Sequence, residues 1–552
     1  MSSRPQRMGK TAGSRVERAA PGAGGREAPE ARPVRMEFDL LVIGSGISGL
    51  SAAVTAAKRG HRVAVISKES DLAECNTRYA QGGIIGDAEE DSAELLEKDI
   101  FHAGDGINNR KAVRLLIESG PSLVDAFLVD ELGVPFSRTE NGEIDLTREA
   151  AHSVRRIYHV MDKTGDSIET HLVRHASTIE ALSFFPSHTA IDLITNTHNS
   201  RNPQERYNRS RVIGAYVLDN ETGIVRTFFA GSVILAAGGV GNLYLHTSNP
   251  AGATGDGIAM AFRIGAEMIH TKYIQFHPTI LFHRDVKRFL ISESLRGEGA
   301  RLMNLNGQYF MDRYSPEKDL APRDEVARAI FREMEDDNTE YVKLDARRIE
   351  KIDLRERFPE IFEQCLTLGM DLRRDTIPVV PGAHYLCGGI KVTLNGETSI
   401  QGLYAVGENA CTGVHGANRL ASVSLLEGLV WGIRAGARTV KPGRPLSGKP
   451  KADIPDWVYP AHEEVFDPRL VMQDFRTIRS TMWNYAGIVR SRKRLLRAQA
   501  DLSYLSHRVE QFYREAKLTR NIIELRNCVV TASLIVQSAL ANPVSRGCHY
   551  VE

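Results

Sequence analysis

The sequence predicts an α/β protein, built as a discontinuous sheet domain with an α+β domain inserted into it and a helical bundle at its C-terminal end. Three observations carry this expectation. The apolar run of residues 38–43 leads straight into Gly44-Ser45-Gly46-Ile47-Ser48-Gly49. Two more Val/Ile/Leu-rich runs, residues 232–236 and 402–406, also end in glycine, and past residue 460 apolar side chains recur at helical spacing. Strands that run into glycine belong at the carboxyl edge of a parallel sheet, where such sheets bind ligands.

In chain order, residues 1–35 are rich in Arg, Ala, Gly, Pro and Ser without apolar periodicity. Such a segment cannot bury enough surface to offset the entropy of ordering, so a disordered tail is expected, with Met36 as an internal start. Its arginines fit a transit peptide, but Glu17, Glu27 and Glu30 count against one. Residues 36–270 open with strand, glycine turn, a small-residue helix (50–59) and a Val/Ile strand (62–67), a βαβ unit that begins the sheet domain. Residues 271–385 hold most of the His and Arg side chains considered below and are expected to form an inserted capping and substrate domain, after which 386–440 return to the sheet. Residues 441–460 read as a linker, since 442–460 contain seven prolines or glycines. In 461–552, Ile478, Met482, Tyr485, Ile488 and Val489, followed by Leu495, Leu502 and Leu505, mark the helices of a small bundle. The chain stops soon after Ser545-Arg546-Gly547-Cys548-His549-Tyr550, which reads as a clipped C-terminus.

A chain of 552 residues exceeds what one hydrophobic core organises, so several domains are expected. Lys and Arg number 70 against 69 Asp and Glu, which leaves no global field to attract nucleic acid or an anionic membrane. An anionic ligand must therefore be held by local charge. The six cysteines are scattered without a CxxC pair, which argues against a disulfide framework or a metal site and fits a reducing cytoplasm. No apolar run approaches the roughly 18 residues of a membrane span, and no signal peptide opens the chain. A cytoplasmic protein without membrane partners is expected.

The glycine turn is the sharpest local signal. In a βαβ unit the first glycine permits the bend, the second lets backbone approach a pyrophosphate, and the third allows close helix packing, while the helix N-terminus supplies N–H donors. Gly44, Gly46 and Gly49 occupy these places, so a Rossmann-like dinucleotide site is expected. The acidic residue usual after the second strand is replaced by Ser67-Lys68; Lys68 is free to face a phosphate, and Glu69 is one step further on. The polar, glycine-ended segment Asn76-Thr77-Arg78-Tyr79-Ala80-Gln81-Gly82-Gly83 suits backbone contacts to a flavin ring.

These residues and others in order resemble a known family. Ile43-Gly44-Ser45-Gly46, Tyr79-Ala80-Gln81-Gly82-Gly83, Thr254-Gly255-Asp256-Gly257, Gln275-Phe276-His277-Pro278, Arg296-Gly297-Glu298-Gly299, Ala321-Pro322-Arg323-Asp324, Ala383-His384-Tyr385 and His415-Gly416-Ala417-Asn418-Arg419 are similar to the motifs of the L-aspartate oxidases, within the succinate dehydrogenase and fumarate reductase flavoprotein superfamily. The likeness runs from about residue 38 to the end. It implies FAD contacts at Ser45, Gly46, Ile47, Ser48, Lys68, Asn76–Gly83, Asp256, Glu408, Ser424 and Leu425. Where the membrane-associated relatives have a histidine bonded to the flavin, this chain has Asn76, which implies non-covalent FAD.

The resemblance also implies a site for a C4 diacid. Burying two carboxylates is costly unless cations and N–H donors meet them, and His277, His384, Arg323 and Arg419 match the family's substrate positions, with Tyr385 and Ser292 beside them. Arg323 matches the residue that transfers a proton at the substrate carbon, and Glu293 and Arg296 match a relay leading to it. Without the resemblance, Arg-Glu-Arg reads as a structural ion-pair network. Glu149 separates family members: a carboxylate favours a diacid that carries an ammonium and opposes one that does not, and it is a possible acceptor for the ammonium proton. The implied activity is oxidation of L-aspartate to iminoaspartate, with oxygen or fumarate as electron acceptor, in the first step of NAD biosynthesis and upstream of quinolinate synthase. A soluble fumarate reductase or succinate dehydrogenase flavoprotein subunit is the alternative, and a non-catalytic FAD-binding partner of quinolinate synthase is the alternative from another class. Oligomeric state is left open.

Three positions depart from the family's pattern: Ala150-Ala151 replace paired glycines, Ser292 replaces threonine, and Val423 replaces asparagine. The first is expected to shift the backbone of Glu149. The last is expected to alter the flavin's surroundings.

Overall fold

The computed structural model describes residues 34–149, 151–439, 450–460 and 467–552. The expected tail, Ala150 and much of the linker lie outside the described residues. Arg35 does not belong to a tail: it begins the first strand, Arg35–Ile43, and its guanidinium holds Asp456 at 2.8 Å and the backbone oxygens of Lys451 and Ile454. The end of the expected linker is thereby a packed strap, with Ile454 buried and Tyr216 donating to Pro455 O at 2.7 Å.

A seven-stranded sheet forms the centre. Arg35–Ile43 lies between Val63–Ile66 and Val225–Leu235, parallel to both, and Leu182–Phe185 extends the parallel side. Val225–Leu235 serves two neighbours in succession. Its first half pairs antiparallel with Val212–Asp219, and its second half pairs parallel with Leu403–Ala405, so a strand from far along the chain completes the sheet. Where these parallel strands cross the centre of the sheet, at Leu40–Ile43, Val63–Ile66 and Val233–Leu235, they are apolar and buried, as burial on both faces requires.

Helix Ile47–Lys58 packs on helix Val423–Arg438 through small residues. Gly428, Gly432 and Gly436 are four apart and face Ser48, Ser51 and Ala52; a Cβ on Gly432 would lie 2.2 Å from Ser51 Oγ. This contact draws the segment after residue 420 against the glycine turn.

A second, antiparallel sheet orders Ile274–Leu281, Ile377–Leu386, Val342–Asp345 and Arg301–Met303, and it has its own apolar cluster around Phe310, Phe358 and Phe362. Helices Pro468–Ala486, Arg492–Glu515 and Arg520–Leu540 form the C-terminal bundle. The expected helical continuation through Ile488 and Val489 fails because Gly487 ends the helix; Val489–Arg490 becomes a strand paired with Tyr550–Val551. Helix Arg520–Leu540 is long and apolar enough by length and composition to cross a membrane, yet Glu524, Arg526 and Asn527 interrupt it, and 67% of its apolar window is buried inside the protein, as in a core helix.

Candidate active site

The carboxyl ends of the parallel strands open into one cleft, lined by residues 43–48, 66–69, 236–239 and 406–408. Its empty space is about 1740 Å³ counting the open mouth, and it runs unbroken from the glycine turn to the side chains at its inner end.

The glycine turn is built as the cofactor requires. Gly44 has φ +117°, and a Cβ there would lie 2.0 Å from Ala236 O; a Cβ on Gly49 would lie 2.1 Å from Gly44 O. Gly49 therefore packs helix against turn and does not line the cleft. Gly46 caps helix Ile47–Lys58 without a side-chain bond, which leaves first-turn N–H groups for an anion, although Ile47 N already donates to Thr77 Oγ1 at 3.0 Å.

Lys68 lines the cleft, but its ammonium is committed. It meets Asp256 at 2.5 Å, Glu524 at 2.8 Å and Thr254 Oγ1 at 2.8 Å. Burial would lower its pKa, yet Asp256 and Glu524 outweigh that and hold it above the usual lysine range. The expectation that Lys68 is free to face a phosphate is thus corrected. Glu69 is likewise held, by Arg520 at 2.8 Å.

Of Asn76–Gly83, all but Arg78 line the cleft. Arg78 turns outward to Asp71 at 3.1 Å and Asp166 at 3.0 Å, which corrects its expected cofactor contact. Asn76 Nδ2 donates to Glu408 Oε2 at 2.9 Å, and Leu386 N donates to Oε1 at 2.9 Å. Burial pushes the Glu408 carboxyl up to about 7.

At the inner end of the cleft, residues from six segments meet: Glu149, His277, Ser292 with Glu293, Arg323, His384 and Arg419. His277 sits between two irregularities in the register of its strand. Thr279 N donates to its Nδ1 at 3.2 Å, so the lone pair lies on Nδ1 and Nε2 carries the hydrogen. His384 is 5.3 Å from His277 between ring centroids, and its Nδ1 bonds Ser248 Oγ at 2.6 Å. Burial and then the neighbouring arginines hold both imidazoles well below the usual histidine range, so both are neutral N–H donors.

Arg323 opens helix Arg323–Asp336, and its Nε meets Glu293 Oε2 at 2.5 Å. Burial would lower the Arg323 pKa, but Glu293 and Glu149 raise it further. Its Nη1 is buried and has no hydrogen-bond partner among the described residues. Arg296 lies behind Glu293 at 3.6 Å, outside the cleft lining. Arg419 is oriented from three sides: Nε to Gln275 Oε1 at 3.2 Å, Nη1 to Ser424 Oγ at 2.8 Å, and its guanidinium over the Tyr385 ring at 4.6 Å. The Tyr385 hydroxyl turns away to Glu427 Oε2 at 3.1 Å, so that ring supports Arg419 and its hydroxyl does not reach a ligand.

Glu149 is buried, and Ser422 Oγ donates to its Oε2 at 2.5 Å. Burial raises its pKa, opposed by Arg323 and Ser422. Ser422 went unread in the sequence because its left-handed backbone, φ +57°, has no local signature in a serine. Gln275, which also donates to Arg419 O at 2.8 Å, was visible only as part of a motif. Val423 is fully buried among apolar side chains and does not line the cleft, which corrects its expected place beside the cofactor. Ala151 takes φ +64°, the strain expected where glycine is absent.

Comparison with known proteins agrees with this geometry. A family model described as "FAD binding domain" matches residues 39–425, and one described as "Fumarate reductase flavoprotein C-term" matches residues 475–552. The L-aspartate oxidase of Acinetobacter baylyi is 41% identical over 93% of this chain and 93% of its own length. That of Halobacterium salinarum is 42% identical over 93% and 96%. Among solved structures, the FrdA chain of an E. coli quinol fumarate reductase variant superposes with a TM-score of 0.84 at 27% identity, covering 94% of this chain and 92% of that one. Mycobacterium smegmatis Sdh1 gives a TM-score of 0.77 at 28% identity, covering 94% and 89%.

Proposed function

The chain belongs to the FAD-dependent L-aspartate oxidase family, and from that premise we propose that its buried clamp oxidises L-aspartate to iminoaspartate, the first step of NAD biosynthesis through quinolinate. The observation that carries the reading is Glu149, an acid placed among two arginines and two neutral histidines where an amine needs a partner and an unaminated diacid does not. The chain's division into FAD-binding, capping and C-terminal helical domains, a cytoplasmic setting, non-covalent FAD at Asn76 and hand-over of product to quinolinate synthase complete the proposal.

FAD fits the cleft: Gly44 and Gly49 leave no room for side chains at the turn, and of the first-turn amides only that of Ile47 is taken by a side chain, Thr77, among the described residues. Gly44 to Ser48, Thr77, Ala80 to Gly83, Glu408, Ser424 and Leu425 would hold it, with Lys68 and Asp256 closing the wall. When bound, FAD supplies the acceptor for hydride from Cα and passes the electrons to oxygen or fumarate, giving hydrogen peroxide or succinate.

The chain's own residues do the rest. Arg419 and Arg323 neutralise the two carboxylates, and the N–H groups of His277 and His384 fix their direction. Glu149 orients the ammonium and takes its proton, freeing the nitrogen lone pair that hydride loss requires. In the fumarate direction, Arg323 Nη1 presents the proton to carbon, and Glu293 with Arg296 behind it restores the charge. The clamp is complete within one chain, which favours an enzyme over a non-catalytic scaffold.

The test is the products formed from L-aspartate by the FAD-loaded protein. Under air, peroxide with ammonia and oxaloacetate from iminoaspartate hydrolysis is expected; under argon with fumarate, succinate. Absence of both product sets would refute the reading.

A further inference from the structure

The loop that joins the strand bearing His277 to the short helix bearing Glu293 carries Lys287 and Arg288. Arg288 is held at φ +71°, a conformation that a residue with a side chain rarely adopts and that clusters at ligand-handling sites. Its Nη2 reaches Asn242 Oδ1 at 3.5 Å, and Arg479 of helix Pro468–Ala486 donates Nε to the backbone oxygen of the same Asn242 at 3.1 Å. Two half-buried guanidiniums thus converge on one asparagine. Neither has a carboxylate within ion-pair distance among the described residues. Burial and then Arg479 lower the Arg288 pKa, and Tyr79 and Glu74 oppose this only in part. Like charges brought together in partial burial are unfavourable until an anion lies between them.

Neither arginine is among the residues that line the cleft, but both are tied to its wall through Asn242. Asn242 braces the wall at 249–253, taking its N–H to Ala253 O at 3.0 Å and its Nδ2 to Ala251 O at 2.7 Å. Leu290 and Ser292, just beyond Arg288, line the cleft, as does Tyr79, which is 46% exposed and so marks the mouth.

We propose that Arg288 and Arg479, braced by Asn242, form an anion-docking site at the cleft mouth that captures the dicarboxylate before the buried clamp takes it. This rests on the diacid reading above. A planar guanidinium pair accepts a carboxylate bidentately, and release inward is favoured because the clamp offers two more cations and two imidazole donors.

Rapid anaerobic mixing of the FAD-loaded protein with L-aspartate tests it. Arg288→Gln lowers the second-order rate of flavin bleaching on the order of threefold to tenfold and flattens its dependence on sodium chloride, while the rate at saturating aspartate stays that of the wild type. Arg288→Lys keeps most of both. An unchanged second-order rate and salt slope in Arg288→Gln overturns the docking site. Failure of aspartate to bleach the wild-type flavin overturns the diacid reading itself, so the two failures are distinct.

Discussion

Glu149 and Glu408 are both buried carboxyls whose pKa lies above the usual range, and they serve different ends. Glu149 must be ionised to receive an ammonium, so kcat/KM for aspartate falls as pH drops through its raised pKa, at higher pH than an ordinary glutamate would cause. Ser422→Ala removes a donor that favours the ionised form. The acid limb of the pH profile should then move further up, with about a tenfold loss of kcat/KM, the scale of a hydrogen bond to a charged group. Glu408 behaves as a stability switch in the apoprotein. Between the ordinary value of 4.5 and its buried value of about 7, the folded chain keeps a proton that the unfolded chain has released. Stability therefore declines as pH rises through that window, by on the order of 3 kcal/mol in all. Glu408→Gln should erase the decline, read as a Tm difference that grows in the variant's favour from pH 5 to pH 8.

At the scale of elements, the glycine turn is the least forgiving part of the cofactor site. Gly44→Ala places a Cβ 2.0 Å from Ala236 O in a left-handed conformation, so the variant should purify without bound flavin. Ala151 presents the reverse case. Its left-handed backbone costs about 1–2 kcal/mol, whereas a glycine there costs ~0.5–1 kcal/mol in unfolded-state entropy. Ala151→Gly should stabilise by roughly 0.5 kcal/mol in a denaturant titration. The turn was legible in the sequence because strand, glycine spacing and helix are local signals. The bundle was legible where Ile478 and Met482 keep helical period, and it was misread one turn later because Gly487 overrides that period. Arg78 was misplaced because a loop's alternation between cleft and solvent follows no period.

For the molecule as a whole, the site depends on convergence that no local pattern carries. Lys68 meets Asp256 across 188 residues, and Ser422 reaches Glu149 across 273. The identities of His277, Arg323, His384 and Arg419 were readable through motif resemblance, with Gln275 and Tyr385 as motif members, but the supporting roles of Ser248, Gln275, Ser422 and the Tyr385 ring follow from packing alone. The bundle stands behind the sheet domain through Asn527, which donates to Asp256 at 2.8 Å. Asn527→Ala should weaken FAD retention while leaving the kcat of the loaded fraction unchanged, measured by flavin release on dilution.

The central claim is that one carboxylate selects an amino diacid over a plain one. A carboxylate about 4 Å from an ammonium contributes ~4 kcal/mol at an effective dielectric near 20, equivalent to roughly a thousandfold. The direct measurement compares anaerobic flavin reduction by L-aspartate with reoxidation of the reduced flavin by fumarate, in wild type and Glu149→Gln. Loss of aspartate-dependent reduction by a hundredfold to about a thousandfold, with fumarate-dependent reoxidation preserved, is the expected result. Aspartate oxidation that survives the substitution while fumarate reduction drops would contradict the account.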